Sequence, residues 1–440
     1  MLYESAGYDA AIWPESYWRA SGPMQQAHAG LHGAICVDVA VIGAGYAGLN
    51  AALELVERFG LRVAVLDAAQ PGWGASGRNG GFCCLGGSML DARAIMRRAG
   101  QDAAREWQAF EHAAIARVRD NLQRYDIDAQ TTETGEVLLA HSPRAWAGMQ
   151  AEALTDGGAA LWDRQDLQAQ GLATAAYYGG RYSPHGFGLH PFAYVTGLAR
   201  AAAGAGVRIF GDSRVTGLQP DGAGWVLRTA QGQVRATQVV IATNGYTDER
   251  LPRWIVRRTL PVLSNIMVTR PLSSAELAAQ GWTRHLMAYD ARMMLHYFRL
   301  LPDGRFLFGA RDGTSFAPDA VARFTTRART EYEVIFPHLA QAETEYSWNG
   351  LVCLTGSRAP YIGPVPGAGG LWLALGWHGN GVAAASEGGR RVARAVMGDA
   401  SAPPALLRRP PPRFMFPRKL GLRMAMAAAA VLDGPVRPVR

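Results

Sequence analysis

The sequence predicts an α/β fold of two domains, one of them built on a mainly antiparallel sheet. The chain has 440 residues, of which 49% are apolar and 18% charged, which excludes a disordered chain or a small module. At about 150 residues per domain, this length suits two or three domains. A strand, a glycine turn, a helix and a second strand follow one another near the start, which is typical of a parallel sheet. Dense short apolar runs later in the chain indicate further, antiparallel strands.

The first elements form a βαβ unit. Residues 37–42 predict a strand, residues 46–59 a helix and residues 61–66 a second strand that ends at Asp67. Glycines before the helix permit a tight turn and a close approach to a pyrophosphate, which the helix N terminus attracts. Asp67 suits ribose hydroxyls and would repel a 2′-phosphate. The unit predicts a Rossmann-like dinucleotide-binding domain, with contacts from Gly43, Ala44, Gly45, Tyr46, Ala47, Gly48, Asp67 and Ala68.

The remaining elements follow from the spacing of apolar residues. The sequence predicts helices over residues 102–125, 190–203, 318–336 and 379–396. It predicts strands over residues 207–210, 213–219, 224–230, 238–242, 262–269, 295–301, 306–308 and 371–375. Residues 70–88 are glycine-rich and too irregular for any element. The strands after residue 207 point to a sheet inserted between returns to the first domain.

A glycine-rich segment over residues 72–82 favours a flavin over a nicotinamide, because its bare amides, hydroxyl and guanidinium suit the phosphates and ring of a flavin. The contacts expected there are Gly74, Ala75, Ser76, Arg78, Asn79, Gly80 and Gly81. At these residues the chain resembles the D-amino-acid oxidase superfamily of flavoproteins, especially its γ-glutamylputrescine oxidoreductase branch. Further segments resemble that branch in the same order, namely residues 13–18, 188–191, 239–245, 297–299, 303–309, 348–350, 358–363 and 376–382.

The resemblance implies a noncovalently bound FAD and a discontinuous FAD-binding domain. That domain would comprise residues 1–90, 185–255 and 345–402, with a substrate domain over 91–184 and 256–344 and a basic C-terminal tail over 403–440. The N terminus of the final long helix would point at the flavin ring and favour its reduction. The further FAD contacts that the resemblance implies are Val215, Thr243, Asn244, Gly245, Gly376, His378, Gly379, Asn380, Gly381 and Val382.

The resemblance also implies oxidation of the C–N bond of an amine, by hydride transfer to flavin N5 and hydrolysis of the imine. The amine must first be neutral, which costs about 4.6 kcal/mol at pH 7 for a pKa near 10.4. His378 and His190 are the candidate bases, although both also suit a structural role. Tyr297 and Trp377 are candidate pocket walls, together with Tyr246 and Phe298. Arg299 is a candidate partner for a remote substrate carboxylate or, equally, a structural ion-pair residue.

The sequence leaves more than one substrate class and more than one electron acceptor open. Amino-acid oxidases of the superfamily carry an arginine two residues after the glycine that Gly350 matches, and this chain has Val352 there. A γ-glutamyl amine, a secondary amine or an ω-amino compound is therefore favoured.

Related sarcosine oxidases use a lysine near the flavin to promote reaction with oxygen, whereas Lys419 is this chain's only lysine. The acceptor is O2 or another carrier. A membrane-associated dehydrogenase that reduces quinone and a flavoprotein with a protein client are the rival functions.

The charge distribution argues against nucleic acid. The net charge is +8, but residues 403–440 hold eight basic residues and one acid, which leaves 36 basic and 35 acidic residues in the rest. The basic tail would contact an anionic membrane surface or, as the sequence favours, dock on the body as a helix.

Four cysteines without CxxC spacing predict neither a disulfide framework nor a metal site, and Cys83 and Cys84 are expected to be buried thiols. No apolar run is long enough to span a bilayer, and a cytoplasmic protein is expected.

Overall fold

The computed structural model describes residues 2–153, 160–399 and 403–439. Its strands are β1 (Gly33–Ile42), β2 (Val63–Leu66), β3 (Phe82–Cys83), β4 (Thr134–Leu139), β5 (Ala160–Asp163), β6 (Gly179–Gly188), β7 (Arg208–Phe210), β8 (Gly217–Asp221), β9 (Gly224–Arg228), β10 (Gly232–Ile241), β11 (Thr259–Thr269), β12 (Met287–Asp290), β13 (His296–Leu300), β14 (Phe306–Ala310), β15 (Thr344–Thr355), β16 (Tyr361–Pro364) and β17 (Leu371–Leu375). Its helices are α1 (Tyr17–Ser21), α2 (Tyr46–Phe59), α3 (Ala92–Ala99), α4 (Gln101–Arg124), α5 (Pro143–Ala153), α6 (Arg164–Ala169), α7 (Pro191–Gly204), α8 (Ser274–Gln280), α9 (Pro318–Ile335), α10 (Gly381–Val396) and α11 (Arg418–Asp433).

The first sheet is parallel in its centre. Its strand order is β16-β17-β10-β1-β2-β7, and β17, β10, β1, β2 and β7 run in the same direction. β16 pairs antiparallel with β17, and β8 and β9 extend antiparallel from β10. Val39 and Val41 on β1 are buried with apolar residues of α2, α7 and α10, whereas Ala40 belongs to the core on the opposite face. A parallel sheet buried on both faces is the arrangement that βαβ units produce.

The second sheet has the order β15-β11-β14-β13-β12-β4-β6-β3, with β5 on β6. All of its pairs are antiparallel except β12 with β4. One face packs against α9 through aromatic residues that include Phe298, Phe306, Phe308, Tyr332 and Phe336. The other face turns toward the carboxyl ends of the parallel strands, which leaves a cavity between the two sheets.

The predicted fold, a Rossmann-like parallel sheet joined to a mainly antiparallel one, is confirmed. The helix predicted over 46–59 and the strand over 371–375 have those bounds in the structure, and the helix predicted over 102–125 is α4. The strand predicted over 213–219 is wrong at its start, because β8 begins at Gly217. Residues 70–88 contain only the two-residue β3 and a short 3-10 turn. The boundaries of the two domains stay a prediction.

The basic tail packs on the body as helix α11. Leu422 and Ala429 are buried, and Arg418 lies 2.6 Å from Glu249. At the other end of the helix, the carboxylate of Asp433 accepts hydrogen bonds from the backbone of the second sheet's β12–β13 loop. Among the described residues, no helix combines the length and the apolar character that a membrane crossing requires.

Candidate functional site

The cavity between the sheets encloses about 2210 Å³ of space, including its open mouth. The first sheet contributes the turns that follow β1, β2 and β10, and the second sheet contributes residues of β11, β12, β13 and β15. The segment over residues 72–82 and the start of α10 complete the lining. Ligands of α/β sheets bind at this place, outside the carboxyl ends of the strands.

The turn after β1 depends on glycine. Gly43 has a φ of +107°, a conformation that residues with a Cβ rarely adopt. A Cβ on Gly48 would lie 1.9 Å from the carbonyl oxygen of Gly43, so the helix begins directly against the turn. Ser76 Oγ accepts a hydrogen bond of 3.1 Å from Tyr46 N. The N terminus of α2 therefore opens onto the cavity, where its amides and dipole suit a pyrophosphate.

Asp67 fixes the turn from the end of β2. Its carboxylate accepts hydrogen bonds from Ala44 N at 2.7 Å and Ala69 N at 2.9 Å. Burial raises the pKa of this carboxyl group, because a buried charge is costly without further donors. Asp67 lines the cavity, and its oxygens retain acceptor capacity for ribose hydroxyls. The residue therefore fits the nucleotide half of a dinucleotide.

The segment over residues 72–82 is held by its own side chains. Arg78 donates to Trp73 O at 2.8 Å and lies 4.7 Å from the centre of the Trp73 ring. Asn79 donates to Ala75 O at 3.0 Å and accepts from Gly81 N at 2.8 Å. With the segment fixed by these bonds, most of its residues line the cavity, as in a binding loop.

A second helix N terminus meets the cavity at α10. Gly379 and His378 have φ values of +103° and +52°, so the backbone turns sharply before the helix. Asn380 donates to Leu85 O, and Gly376 N donates to Asn244 Oδ1 at 2.9 Å, which fixes the turn. Two positive helix ends face one cavity, and this fits a cofactor with a pyrophosphate and a ring that gains negative charge on reduction.

Most of the predicted cofactor residues come together here. The cavity is lined by Gly43, Ala44, Gly45, Tyr46, Ala47, Asp67, Ala68, Gly74, Ala75, Ser76, Arg78, Asn79, Gly80, Val215, Thr243, Asn244, Gly379, Asn380, Gly381 and Val382. The others lie behind the lining and shape it, namely Gly48, Gly81, Gly245, Gly376 and His378.

His190 does not lie where a catalytic base would act. It precedes α7, and its Nδ1 accepts a hydrogen bond of 3.1 Å from Ala193 N. Its Nε2 lies 3.2 Å from Ser21 Oγ. Burial and the charge of Arg299 lower its pKa to about 4. The side chain is 1% exposed, caps a helix and does not line the cavity.

Arg299 also lies outside the cavity lining. Its guanidinium donates to Leu189 O at 2.6 Å and to Gly80 O at 3.1 Å, behind the segment over residues 72–82. It lies 5.5 Å from the centre of the Trp18 ring and does not line the cavity. Loop backbone therefore lies between Arg299 and the cavity.

His378 lies under the turn that precedes α10. Its Nε2 is 3.2 Å from Thr355 Oγ1, and its Nδ1 is buried without a hydrogen-bond partner among the described residues. Burial lowers its pKa to about 4. The imidazole is therefore neutral at pH 7, and it supports the turn from outside the cavity lining.

Tyr297 and Trp377 do line the cavity. The Tyr297 hydroxyl lies 2.9 Å from Ser264 Oγ, and burial raises its pKa to about 12. Tyr246 belongs to the lining as expected, but Phe298 is fully buried in the core on the other face of the second sheet. Residues alternate between the faces of a strand, and Phe298 directly follows Tyr297.

Sequence reasoning missed several cavity residues of the second sheet, namely Ser264, Ile266, Tyr289, Leu295 and Arg311, and Cys353 lines the cavity as well. Residues alternate between the two faces of a strand. This alternation along β11 and the segment that leads into β13 is the signal that would have identified Ser264, Ile266 and Leu295 as residues of one face. Burial raises the pKa of the Cys353 thiol to about 12, so it is not the thiolate that covalent attachment would need. Cys83 and Cys84 are buried and unpaired, as expected.

The fold and the cavity together define a two-domain flavoprotein oxidoreductase. Comparison with known sequences agrees, because the sequence model of the DAO family of FAD-dependent oxidoreductases matches residues 38–395. The chain belongs to this family, and its cofactor is FAD.

Individual relatives are similar over most of the chain. γ-Glutamylputrescine oxidoreductase of Escherichia coli (strain K12) is 30% identical, over 94% of this chain and 95% of the relative. Probable oxidoreductase OrdL of Haemophilus influenzae is 33% identical, over 82% and 83%. Among solved structures, glycine oxidase from Geobacillus kaustophilus has a TM-score of 0.68 at 23% identity and covers 83% of this chain and 95% of its own. That structural similarity concerns the fold.

Proposed function

We propose that this enzyme oxidises the C–N bond of an amine, with γ-glutamyl amines, secondary amines and ω-amino compounds as the substrate class. The observation that carries the proposal is the lining contributed by the second sheet, which apart from Gly350, Cys353 and the cationic Arg311 is aromatic, aliphatic or hydroxylic, with Tyr289, Leu295, Tyr297 and Val352 among its members. Among the described lining residues, the acids are Asp67 and Asp248, and both follow strands of the first sheet. An ammonium ion beside the second sheet would find no counterion.

This lining favours the neutral amine. Because burial disfavours the charged form of an amine, a substrate nitrogen beside these residues loses its proton more readily than in water. Bound FAD then supplies the acceptor for the two electrons and the hydrogen from the adjacent carbon. The hydroxyls of Tyr297 and Ser264 are the polar groups that orient the nitrogen, because the phenol stays protonated and can donate or accept a hydrogen bond. The imine that leaves is hydrolysed by water.

The relatives support the same class. One of them is named for oxidation of γ-glutamylputrescine, and its similarity covers nearly the whole chain. Val352, which takes the position of the superfamily's carboxylate-binding arginine, is apolar and lines the cavity. A substrate whose carboxylate sits beside the reacting carbon is therefore disfavoured.

The electron acceptor is proposed to be a carrier other than oxygen. Lys419, the chain's only lysine, lies 3.1 Å from Glu4 and does not line the cavity. The enzyme therefore has no lysine near the flavin site. Steady-state turnover with an artificial dye should exceed peroxide formation in air, and comparable rates of the two would contradict the assignment.

Anaerobic reduction of the purified yellow protein tests the proposed reaction. We expect γ-glutamyl amines or ω-amino compounds to bleach the flavin absorbance within one turnover, with N-methyl amino acids and α-amino acids slower. Rapid bleaching by a free amine also counts against a protein client. If no amine of the panel bleaches the flavin while dithionite does, the proposed function is wrong.

A further inference from the structure

Arg311 faces the cavity from the end of β14. Its backbone N–H donates to Leu295 O at 3.1 Å, and β14 pairs with β13 so that Tyr297 lies opposite Gly309. Because residues alternate along a strand, Arg311 extends from the same face as Tyr297. Its side chain lines the cavity, and a Cβ on Gly379 would lie 3.4 Å from Arg311 Nη2. The guanidinium thus lies beside the turn that precedes α10.

The Arg311 side chain has no partner among the residues that the structure describes. The other two arginines of the lining are bonded, Arg78 to Trp73 O at 2.8 Å and Arg214 to Tyr8 O at 2.9 Å. The buried Arg299 donates to Gly80 O and Leu189 O, although its Nη1 has no partner among the described residues. Arg311 is half-buried in the cavity wall, so its guanidinium faces the contents of the cavity. A cation without a protein partner at that place suits an anion that arrives from outside the chain.

The groups around Arg311 do not provide that anion. The phenol of Tyr297 and the imidazole of His378 are neutral at pH 7, since burial raises the pKa of the first to about 12 and lowers that of the second to about 4. Val352 is apolar, and the acids of the lining lie with the first sheet. Burial lowers the pKa of Arg311, and the neighbouring Tyr297 phenol offsets this only in part.

We propose that Arg311 binds the carboxylate of the substrate, so that this enzyme selects amines that also carry a carboxylate over plain amines. The inference rests on the proposed function and assigns the anionic end of its substrate. A guanidinium donates two parallel hydrogen bonds to a carboxylate, which orients the bound molecule as well as holding it. Arg311 projects from β14, whereas Val352 belongs to β15, so the anchor has a different origin in the fold from the arginine that Val352 replaces.

A pair of substrates that differ only by the carboxylate provides the kinetic test. The first is N-(γ-glutamyl)-1,4-diaminobutane, and the second is N-(4-aminobutanoyl)-1,4-diaminobutane, its decarboxylated counterpart. We expect Arg311→Gln to lower kcat/KM for the first by about 10- to 100-fold and for the second by less than about 3-fold, with Arg311→Lys in between. Arg323→Gln, on the exposed surface of α9 where Arg323 pairs with Asp319, is the matched control and should change neither.

Equilibrium binding gives a second measurement that needs no turnover. Glutarate, added to the FAD-loaded enzyme, should perturb the flavin absorbance, and Arg311→Gln should weaken its binding at least about 10-fold without changing the spectrum or FAD content of the ligand-free enzyme. If the variant loses FAD or shifts the ligand-free spectrum while glutarate binds as before, the guanidinium serves the cofactor and the proposal is overturned. Equal kinetic losses for both substrates, or no glutarate binding by the wild type, overturn it as well.

The two tests separate this inference from the proposed function. If no amine reduces the flavin of the wild type, the proposed function fails, and the glutarate titration still measures whether Arg311 binds carboxylates. If amines reduce the flavin but wild type and Arg311→Gln discriminate equally between the paired substrates, the proposed function stands and the role of Arg311 is wrong.

Discussion

Gly48 illustrates how one missing side chain positions the cofactor. The residue lies within α2 at the point where the helix contacts the preceding turn, and a Cβ there would lie 1.9 Å from Gly43 O and 3.2 Å from a side-chain carbon of Val41. The nearest obstacle is backbone, which cannot rotate away as a long side chain can. A methyl group at this position must therefore displace either the turn or the helix N terminus.

We expect Gly48→Ala to destabilise the protein by about 1–3 kcal/mol, the usual cost of overpacking, and to weaken FAD binding by about 10-fold or more. Urea unfolding and titration of the apoprotein with FAD measure the two effects. Gly148→Ala is the control, because Gly148 lies in the exposed middle of α5 with no atom within 4 Å of its Cβ position. Alanine should be neutral or stabilising there. Equal FAD affinity in the two variants would contradict this account of the turn.

His296 provides a buried charge that responds to pH. Its Nδ1 lies 2.7 Å from Asp290 Oδ2 and its Nε2 lies 3.0 Å from Glu331 Oε2. Burial lowers its pKa, but the two carboxylates outweigh burial and raise the pKa to about 9. Since the folded pKa exceeds the unfolded value near 6.5, the contribution to stability is fully present below that value and is lost as pH rises through 9.

Wild type should therefore lose stability relative to His296→Gln on going from pH 6 to pH 10. The difference in unfolding free energy between the two proteins should shrink by about 3 kcal/mol over this interval. Urea unfolding at a series of pH values measures it. A difference that stays constant with pH would mean that folding leaves the pKa of His296 unchanged.

Two arginines show the limit of sequence reasoning about side chains. Arg299 and Arg311 belong to neighbouring segments of the same antiparallel hairpin, and both extend from the cavity side of the sheet. The segment over residues 72–82 covers Arg299, whereas Arg311 lies beyond its reach. The sequence places Arg299 within a predicted strand and Arg311 after the next one. Which of the two arginines a distant loop covers depends on tertiary packing, which the local sequence does not indicate.

Among the elements, the predictable ones are those whose local pattern agrees with their final environment. β1, α2 and β2 combine apolar periodicity with a glycine turn, so the βαβ unit was predicted closely. β6 was missed because its sequence over Gly179–Gly188 contains four glycines and a proline, which are residues that strands disfavour. It is a strand because β3, β4 and β5 all pair with it. Such tertiary pairing leaves no local signal.

The β13–β14 hairpin positions Tyr297 through the absence of a side chain opposite it. Tyr297 pairs with Gly309, and a Cβ on Gly309 would lie 2.1 Å from Tyr297 Cζ. The ring therefore lies over the glycine, and it makes an edge-to-face contact with Phe82 at a centroid distance of 5.6 Å. Cross-strand neighbours of this kind determine where a side chain points.

Gly309→Ala should destabilise the enzyme by about 1–3 kcal/mol when Tyr297 is present, and by much less in the Tyr297→Ala background, where the ring is gone. The double-mutant cycle, measured by urea unfolding, isolates this coupling. The flavin reduction rate should fall in Gly309→Ala because the displaced ring enters the cavity. Equal destabilisation in both backgrounds would show that the glycine serves the strand and not the tyrosine.

At the scale of the whole molecule, α11 contacts three segments that are distant from one another along the chain. Its start contacts the loop after β10 through Glu249 and the N-terminal segment through Glu4, and its end contacts the second sheet through Asp433. Its outer face leaves Met424, Val431 and Leu432 exposed at 65%, 82% and 72%. The sequence favoured a docked helix because the segment is apolar with basic flanks. It did not indicate the docking surface, which consists of residues distant along the chain.

Arg418 is the residue that we expect to hold this helix in place. Its guanidinium donates to both carboxylate oxygens of Glu249, at 2.6 and 2.7 Å, and to Thr259 O at 2.6 Å, while its side chain is 9% exposed. Arg418→Ala should lower the unfolding free energy by about 2 kcal/mol, because it leaves a largely buried carboxylate and a carbonyl without a donor. Arg423→Ala, an exposed position on the same helix, should stay within about 0.5 kcal/mol of wild type. Proteolysis should cut the tail of the first variant sooner and leave its flavin spectrum unchanged. If both variants lose the same stability, the helix is held by its apolar contacts alone, and the ion pair is a consequence of docking and not its cause.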